Sequence, residues 1–193
     1  MVSSTVGAPV LEEWTEIVPP TAPDISAVEA EIERTALLVM DFNVRTCNRE
    51  RRVRCHDIIP NVARLLRRAR EAGMKVVYTY GPNMELPDFV SELAPVGEEP
   101  SYQRPFNKFY GSSLESDLRA EGIDTVILTG TAAVGAVFST GAGAVERGFN
   151  IIVPVDGMAA DTAYEEQFVA WYFGTANGLR NNTVLTRSDL ISF

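Results

Sequence analysis

The sequence predicts a three-layer α/β/α protein built on a mainly parallel, Rossmann-like sheet of about six strands. Three observations carry that prediction. Continuous apolar runs such as Ala36-Leu37-Leu38-Val39-Met40 mark strands covered on both faces. Amphipathic stretches at helical spacing separate these runs. The connections are short, which favours right-handed crossovers and a parallel sheet with helices on both sides. With 193 residues, 46% of them hydrophobic, the chain can fill one substantial core.

Residues 1–32 stand apart as an N-terminal extended arm, and 33–193 form the domain. The arm carries Pro9, Pro19, Pro20 and Pro23 and no long apolar strand; one short helix is expected near Ser26–Ile32. It either packs on its own domain or a partner, or is a mobile tail. After the first strand, Ile58, Val62, Leu65, Leu66 and Ala69 recur at helical spacing, and Gly73 ends that helix. Met74–Tyr80 is the next strand. The polar stretch from Gly81 to Lys108 is long for a plain connection and reads as functional, a lid or a subunit contact.

Ser112 with Glu115 is expected to form a capping box that opens a helix closing near Gly122. Thr125–Thr129 is a strand, Gly130–Gly135 a small-residue turn, Val137 to Arg147 a helix and Asn150–Val155 a strand. Thr162 and Glu165 form a second capping box. Behind it, Tyr164, Phe168, Trp171 and Tyr172 share one face, expected to be core or subunit interface. Thr183–Thr186 is the last strand.

Charge narrows the partners. Seventeen Lys and Arg against 26 Asp and Glu give a net charge of −9 and a pI near 4.7, which argues against a general nucleic-acid or anionic-membrane surface. No run approaches the roughly 18 apolar residues of a membrane span. The amino terminus lacks the basic start and apolar stretch of a signal peptide, so a cytoplasmic location is expected. Cys47 and Cys55 are too few for a secreted-type disulfide framework and read as reduced thiols in a reducing compartment.

In parallel α/β folds, ligands bind beyond the carboxyl ends of the strands. That rule points to Asp41, to Tyr80–Gly81, to Gly130–Ala136 and to Asp156. A carboxylate at Asp41 is partly desolvated by the strand behind it, which raises its pKa and suits proton exchange with a substrate. The alternative is a strand-end aspartate capping nearby amides. The small side chains from Thr131 through Gly135 leave backbone N–H groups approachable at a helix amino terminus, where a carboxylate or oxyanion could sit. The turn is neither a phosphate loop nor a dinucleotide fingerprint. Gly141 and Gly143 are explained by close packing. Arg45, Arg49, Arg51, Arg52 and Arg54 form a basic cluster that would suit a carboxylate-bearing substrate, an acidic subunit contact, or plain solvent.

Leu38-Val39-Met40-Asp41-Phe42-Asn43 resembles the first strand of the isochorismatase-like hydrolases. Phe109-Tyr110-Gly111-Ser112-Ser113-Leu114-Glu115 is similar to a further segment of that family. Val126–Gly130, the small-residue turn, Thr140 and the run from Arg147-Gly148 to Val155-Asp156-Gly157 resemble its distal half. The resemblance implies an isochorismatase-like fold and a small-molecule substrate. It also implies a homo-oligomer, dimer or tetramer, and a cis peptide at Thr131–Ala132.

The family's amidases combine an Asp, a Lys and a Cys nucleophile. Asp41 matches the first; the cysteine slot holds Ala136; the lysine slot falls on Gln103, with Arg104 beside it and Lys108 just before Phe109. A methyl group cannot attack a carbonyl. The resemblance therefore implies chemistry like that of the true isochorismatases, which lack the cysteine and cleave a vinyl ether while an aspartate handles protons. In that reading Asp41, Lys108 and the Ala136 slot are the catalytic positions, and Phe42, Tyr80, Arg104, Thr131, Ala132 and Gly135 bind substrate. No metal is expected, because a nicotinamidase-type site needs an Asp and two His and His56 is the only histidine. No cofactor is expected either. Two rivals stay open: a non-catalytic binding or scaffold protein, and a hydrolase of C–N bonds that uses Cys47.

Overall fold

The computed structural model describes residues 10–193. The first long strand of the domain, β2 (Thr35–Met40), is buried along its whole length. It follows a two-residue strand, β1 (Val28–Glu29). Helix α1 (Val53–Glu71) then leads to β3 (Lys75–Tyr80), and a short edge strand β4 (Ser101–Gln103) follows the long connection. The second half runs α2 (Leu114–Ala120), β5 (Thr125–Thr131), α3 (Phe138–Glu146), β6 (Asn150–Pro154), β7 (Met158–Ala159), α4 (Ala163–Thr175), β8 (Thr183–Thr186) and β9 (Ile191–Ser192).

The strand order is β4-β3-β2-β5-β6-β8, with β7 pairing the end of β5, so seven strands form one sheet. Every pairing in it is parallel. The predicted fold class therefore holds.

Alternation along the central strands builds two cores. Leu37 and Val39 of β2, with Val76 and Tyr78 of β3, face α1, where Cys55, Ile59, Val62, Leu65, Leu66 and Ala69 are buried. Ala36, Leu38 and Met40 face the other way, onto Leu114 and Leu118 of α2, Ala144 of α3, and Val169 and Phe173 of α4. Each fully buried aliphatic side chain of this kind contributes about 1.5–3 kcal/mol. No helix among the described residues is long and apolar enough to cross a membrane.

Several local expectations need correction. The helix expected near Ser26–Ile32 is instead β1, which pairs in parallel with β9, followed by a single 3-10 turn at Ile32–Arg34. This part of the arm packs on its own domain: the Ser26 N–H donates to the Leu185 carbonyl at 2.9 Å, and Ala30 is buried. Ser112 and Glu115 do not form a capping box. The Ser112 hydroxyl donates to the Lys108 carbonyl at 2.7 Å, and Glu115 pairs with Arg147 at 3.1 Å. The box at Thr162 and Glu165 is present. Of the two readings of the aromatic face of α4, the core one fails, since Tyr164, Phe168 and Trp171 are exposed and the helix buries Val169 and Phe173 instead; the exposed face leaves the subunit-interface reading standing.

The cysteines are corrected too. Cys47 and Cys55 are joined in a disulfide across eight residues, with Cα atoms 5.1 Å apart. The two positions are packed into the same core cluster, and that proximity is invisible in a spacing of eight. Closing so short a loop restricts the unfolded chain by about 2–3 kcal/mol. The inference from free thiols to a reducing compartment falls with the thiols.

Candidate active site

The sheet reverses its order between β2 and β5. One half of the chain winds outward through β3 and β4, and the other returns through β6 and β8. A crevice opens at such a switch point, beyond the carboxyl ends of the strands. Met40 pairs with Gly130, so the next residue on each strand, Asp41 and Thr131, stands at the rim. The two backbones lie close here: a Cβ on Gly130 would come within 2.7 Å of the Met40 Cβ.

Asp41 and Thr131 line a cleft of about 250 Å³ whose wall also includes Asn43, Thr46, Arg52 and the segment Gly81–Met84. A larger hollow of about 310 Å³ runs along Lys75, Tyr102, Asp117 and Glu121. It opens near the amino end of β3. Its polar groups satisfy one another, Lys75 with Glu121 at 2.6 Å and Tyr102 with Asp117 at 2.7 Å. The smaller cleft is the one with chemistry at its edge.

Asp41 leaves β2 in the left-handed backbone region, φ 58°, which turns the chain sharply off the strand. Aspartate tolerates that conformation better than most residues, though at a cost, and such backbone strain gathers at functional sites. Its carboxylate meets the Lys108 ammonium at 2.6 Å. Lys108 is almost wholly enclosed, with 1% of its side chain exposed, and its Nζ also donates to the Arg104 carbonyl at 2.8 Å. Burial raises the Asp41 pKa, against the opposing pull of Lys108 and a hydrogen bond from the Gly81 backbone. Burial also lowers the Lys108 pKa, against the pull of Asp41. For both groups desolvation outweighs attraction, so the two shifts bring their titrations towards each other.

The loop that delivers Lys108 is moored on α3. The Lys108 N–H donates to the Thr140 hydroxyl at 3.2 Å, and that hydroxyl donates to the Phe106 carbonyl at 3.2 Å. Asn107 lies against Gly143, where a Cβ would come within 2.8 Å of the amide carbon. Lys108 thus contacts Asp41, although the lysine is displaced along the chain from the slot that the resemblance assigns. Gln103, in that slot, turns its amide to the Met84 carbonyl at 3.1 Å.

The remaining residues expected at the site divide. Arg104 is no clamp on the cleft: its guanidinium donates to the Gln103 and Gly111 carbonyls, and only its backbone oxygen serves Lys108. Phe42 is fully buried in the core under the cleft, and Tyr80 packs edge-on against Phe89, so neither lines it. Past Thr131 the expected anion cradle is wound into a helical turn. Ala133–Val137 form a π-helical turn, and the Gly135 N–H donates to the Ala132 carbonyl at 3.0 Å. Ala132 and Gly135, partly exposed, and Ala136, buried, are not among the residues that line the cleft. The Thr131–Ala132 peptide is cis, as the resemblance implies. Asp156 is structural, since its carboxylate accepts from the Ser188 N–H and hydroxyl, each at 2.7 Å. Cys47 has no thiol to offer, which removes it as a nucleophile.

Sequence reasoning missed Asn43, Thr46 and Pro82–Met84 as cleft residues and singled out Arg52 only as part of a charge cluster. The Arg52 Nε pairs with Asp161 at 2.6 Å and its Nη1 donates to the Thr131 hydroxyl at 2.7 Å.

Comparison with known proteins agrees with the architecture. The Alkaliphilus metalliredigens isochorismatase-like hydrolase superposes with a TM-score of 0.73 at 24% identity, over 81% of this chain and 87% of that one. N-carbamoylsarcosine amidase from Thermoplasma acidophilum superposes with a TM-score of 0.68 at 26% identity, over 81% and 97%. The Escherichia coli O157:H7 isochorismatase family protein YecD is 41% identical over 61 residues, which span only 32% of either chain. The isochorismatase domain matches residues 35–187, from the start of β2 through β8, and the chain belongs to the isochorismatase family.

Proposed function

We propose that the chain is a hydrolase of a small anionic metabolite that works by proton transfer at Asp41, without a covalent intermediate. The observation that carries this reading is the Asp41–Lys108 pair at the edge of a polar cleft. Burial raises the Asp41 pKa above that of an ordinary carboxylate, which suits it to hand a proton to the leaving side of the scissile bond. Lys108 then steadies the carboxylate that forms. Water supplies the hydroxyl to the other fragment and returns a proton to Asp41, which closes the cycle. A thiol route lacks its reagent, because both cysteines are spent in the disulfide and the slot assigned by resemblance holds Ala136.

A metabolite screen comparing the protein with Asp41→Asn tests the proposal. Turnover in the variant should fall by about 100- to 10,000-fold, the usual worth of a positioned acid. Equal turnover of every candidate by both proteins would remove Asp41 from the mechanism. The methyl group at Ala136 favours one rival, a binding protein on the same fold, and that rival predicts ligands bound without turnover.

A further inference from the structure

We propose that Arg52 anchors a carboxylate of the substrate in the cleft. The proposal rests on the functional reading above for its premise that the cleft takes a substrate, and it assigns that substrate a chemical class.

Arg52 is built into the wall. It is the residue before α1, its N–H donates to the Asn48 carbonyl at 3.2 Å, and its own carbonyl accepts from the His56 N–H at 3.2 Å. The disulfide closes the loop that carries it, with both cysteines buried. The guanidinium plane is fixed at two points, by Asp161 and by the Thr131 hydroxyl. Among the described residues no acceptor takes its Nη2, and 20% of the side chain stays exposed where it lines the cleft. An oriented fork with a terminal nitrogen unspent is what carboxylate recognition needs.

Charge selects a carboxylate over a phosphate. The other cation near the cleft, Lys108, is already matched by Asp41 and enclosed. Arg52 therefore has at most one positive charge to offer, and Asp161 shares it. With Asp161 already paired to Arg52, a singly charged carboxylate leaves one net negative charge. A phosphate dianion would leave two near Asp41, which a partly desolvated site penalises more. The cleft, about 250 Å³, is below the roughly 300–1,000 Å³ usual for drug-sized ligands, so the acid is small. Arg49 and Arg51, exposed on the same loop, add local positive potential in a chain of net charge −9 and would draw anions to this face.

The test is an amide NMR titration of the full chain with benzoate, benzamide and inorganic phosphate. Benzoate should saturably shift the amides of Asn43, Gly81 and Thr131, while benzamide and phosphate should not. Arg52→Gln should weaken benzoate at least tenfold with the rest of the spectrum intact. Arg52→Lys should recover only part of that loss, and Arg67→Gln, further along α1 and outside the cleft, should bind as the parent does. Binding of benzamide as tight as benzoate, preference for phosphate, no saturable shift, or undiminished benzoate binding by Arg52→Gln would each overturn the proposal. No turnover enters this readout, so a failure of the Arg52 anchor is distinct from a failure of Asp41 in the metabolite screen.

Discussion

At the residue scale, Asp41 and Lys108 are each held away from their ordinary titration by the same cause. Burial penalises both charges, and the 2.6 Å contact between them opposes that penalty for both. Replacing the lysine by methionine removes the attraction and leaves the desolvation. The Asp41 pKa in Lys108→Met should therefore rise above its already raised value, and a carbon-detected NMR titration of the carboxyl groups checks the direction. The sign has a stability consequence. A raised carboxyl pKa means that the folded protein holds that proton more tightly than the unfolded chain does. Its contribution to folding is greatest below the unfolded carboxyl's pKa and is lost as pH climbs from there through the folded value, and in Lys108→Met that loss should be larger and extend to higher pH. A fall in the Asp41 pKa would show that the ammonium is not what steadies this carboxylate. Asp41 was legible in the sequence because five apolar residues end on it. Lys108 could be named from its neighbourhood, whereas Arg104, equally near in sequence, spends its guanidinium on loop carbonyls.

At the scale of elements, the site depends on how α3 receives the loop in front of it. Gly143 leaves the space that Asn107 fills, and Thr140 ties both the Phe106 carbonyl and the Lys108 N–H. In Gly143→Ala the new methyl group would meet the Asn107 amide, so the loop must shift at a cost of about 1–3 kcal/mol. Because Lys108 is the next residue, the displacement should also cost turnover by about tenfold or more. Thermal unfolding together with kinetics reads both effects, and wild-type behaviour in both would refute the mooring. The reading of Gly143 as a packing glycine needed only its place inside a helix. Strands and the longer helices were legible for a similar reason, since their periodicity records burial on one face or two. The π-helical turn at Ala133–Val137 was not, because five small residues carry no periodicity. The failed capping box at Ser112 has a tertiary cause: the hydroxyl serves the Lys108 carbonyl, a partner that no local pattern announces.

Across the whole molecule, the arm is joined to the opposite end of the chain. β1 pairs with β9, the Ala30 N–H donates to the Ser192 carbonyl at 2.9 Å, and a Cβ on Gly174 would come within 2.9 Å of Pro23. Upstream of Pro23 the contacts thin: Val10, Leu11, Ile17 and Val18 are exposed, and Trp14 touches Tyr164 with ring centres 6.2 Å apart. The arm therefore has two parts with different roles, which its proline content alone did not separate. Among the described residues, removing residues 1–20 takes one aromatic contact, worth about 1 kcal/mol. Removing residues 1–30 also takes the Ser26 and Ala30 hydrogen bonds, the β1 ladder and the buried Ala30. At about 1 kcal/mol for each hydrogen bond, plus the apolar burial, that deletion should cost about 3–5 kcal/mol. For a chain of this size each kcal/mol moves Tm by about 2–4 °C, so calorimetry of the two deletions should separate them by several degrees. Equal Tm values would mean that the β1–β9 pairing adds nothing to the stability of the domain.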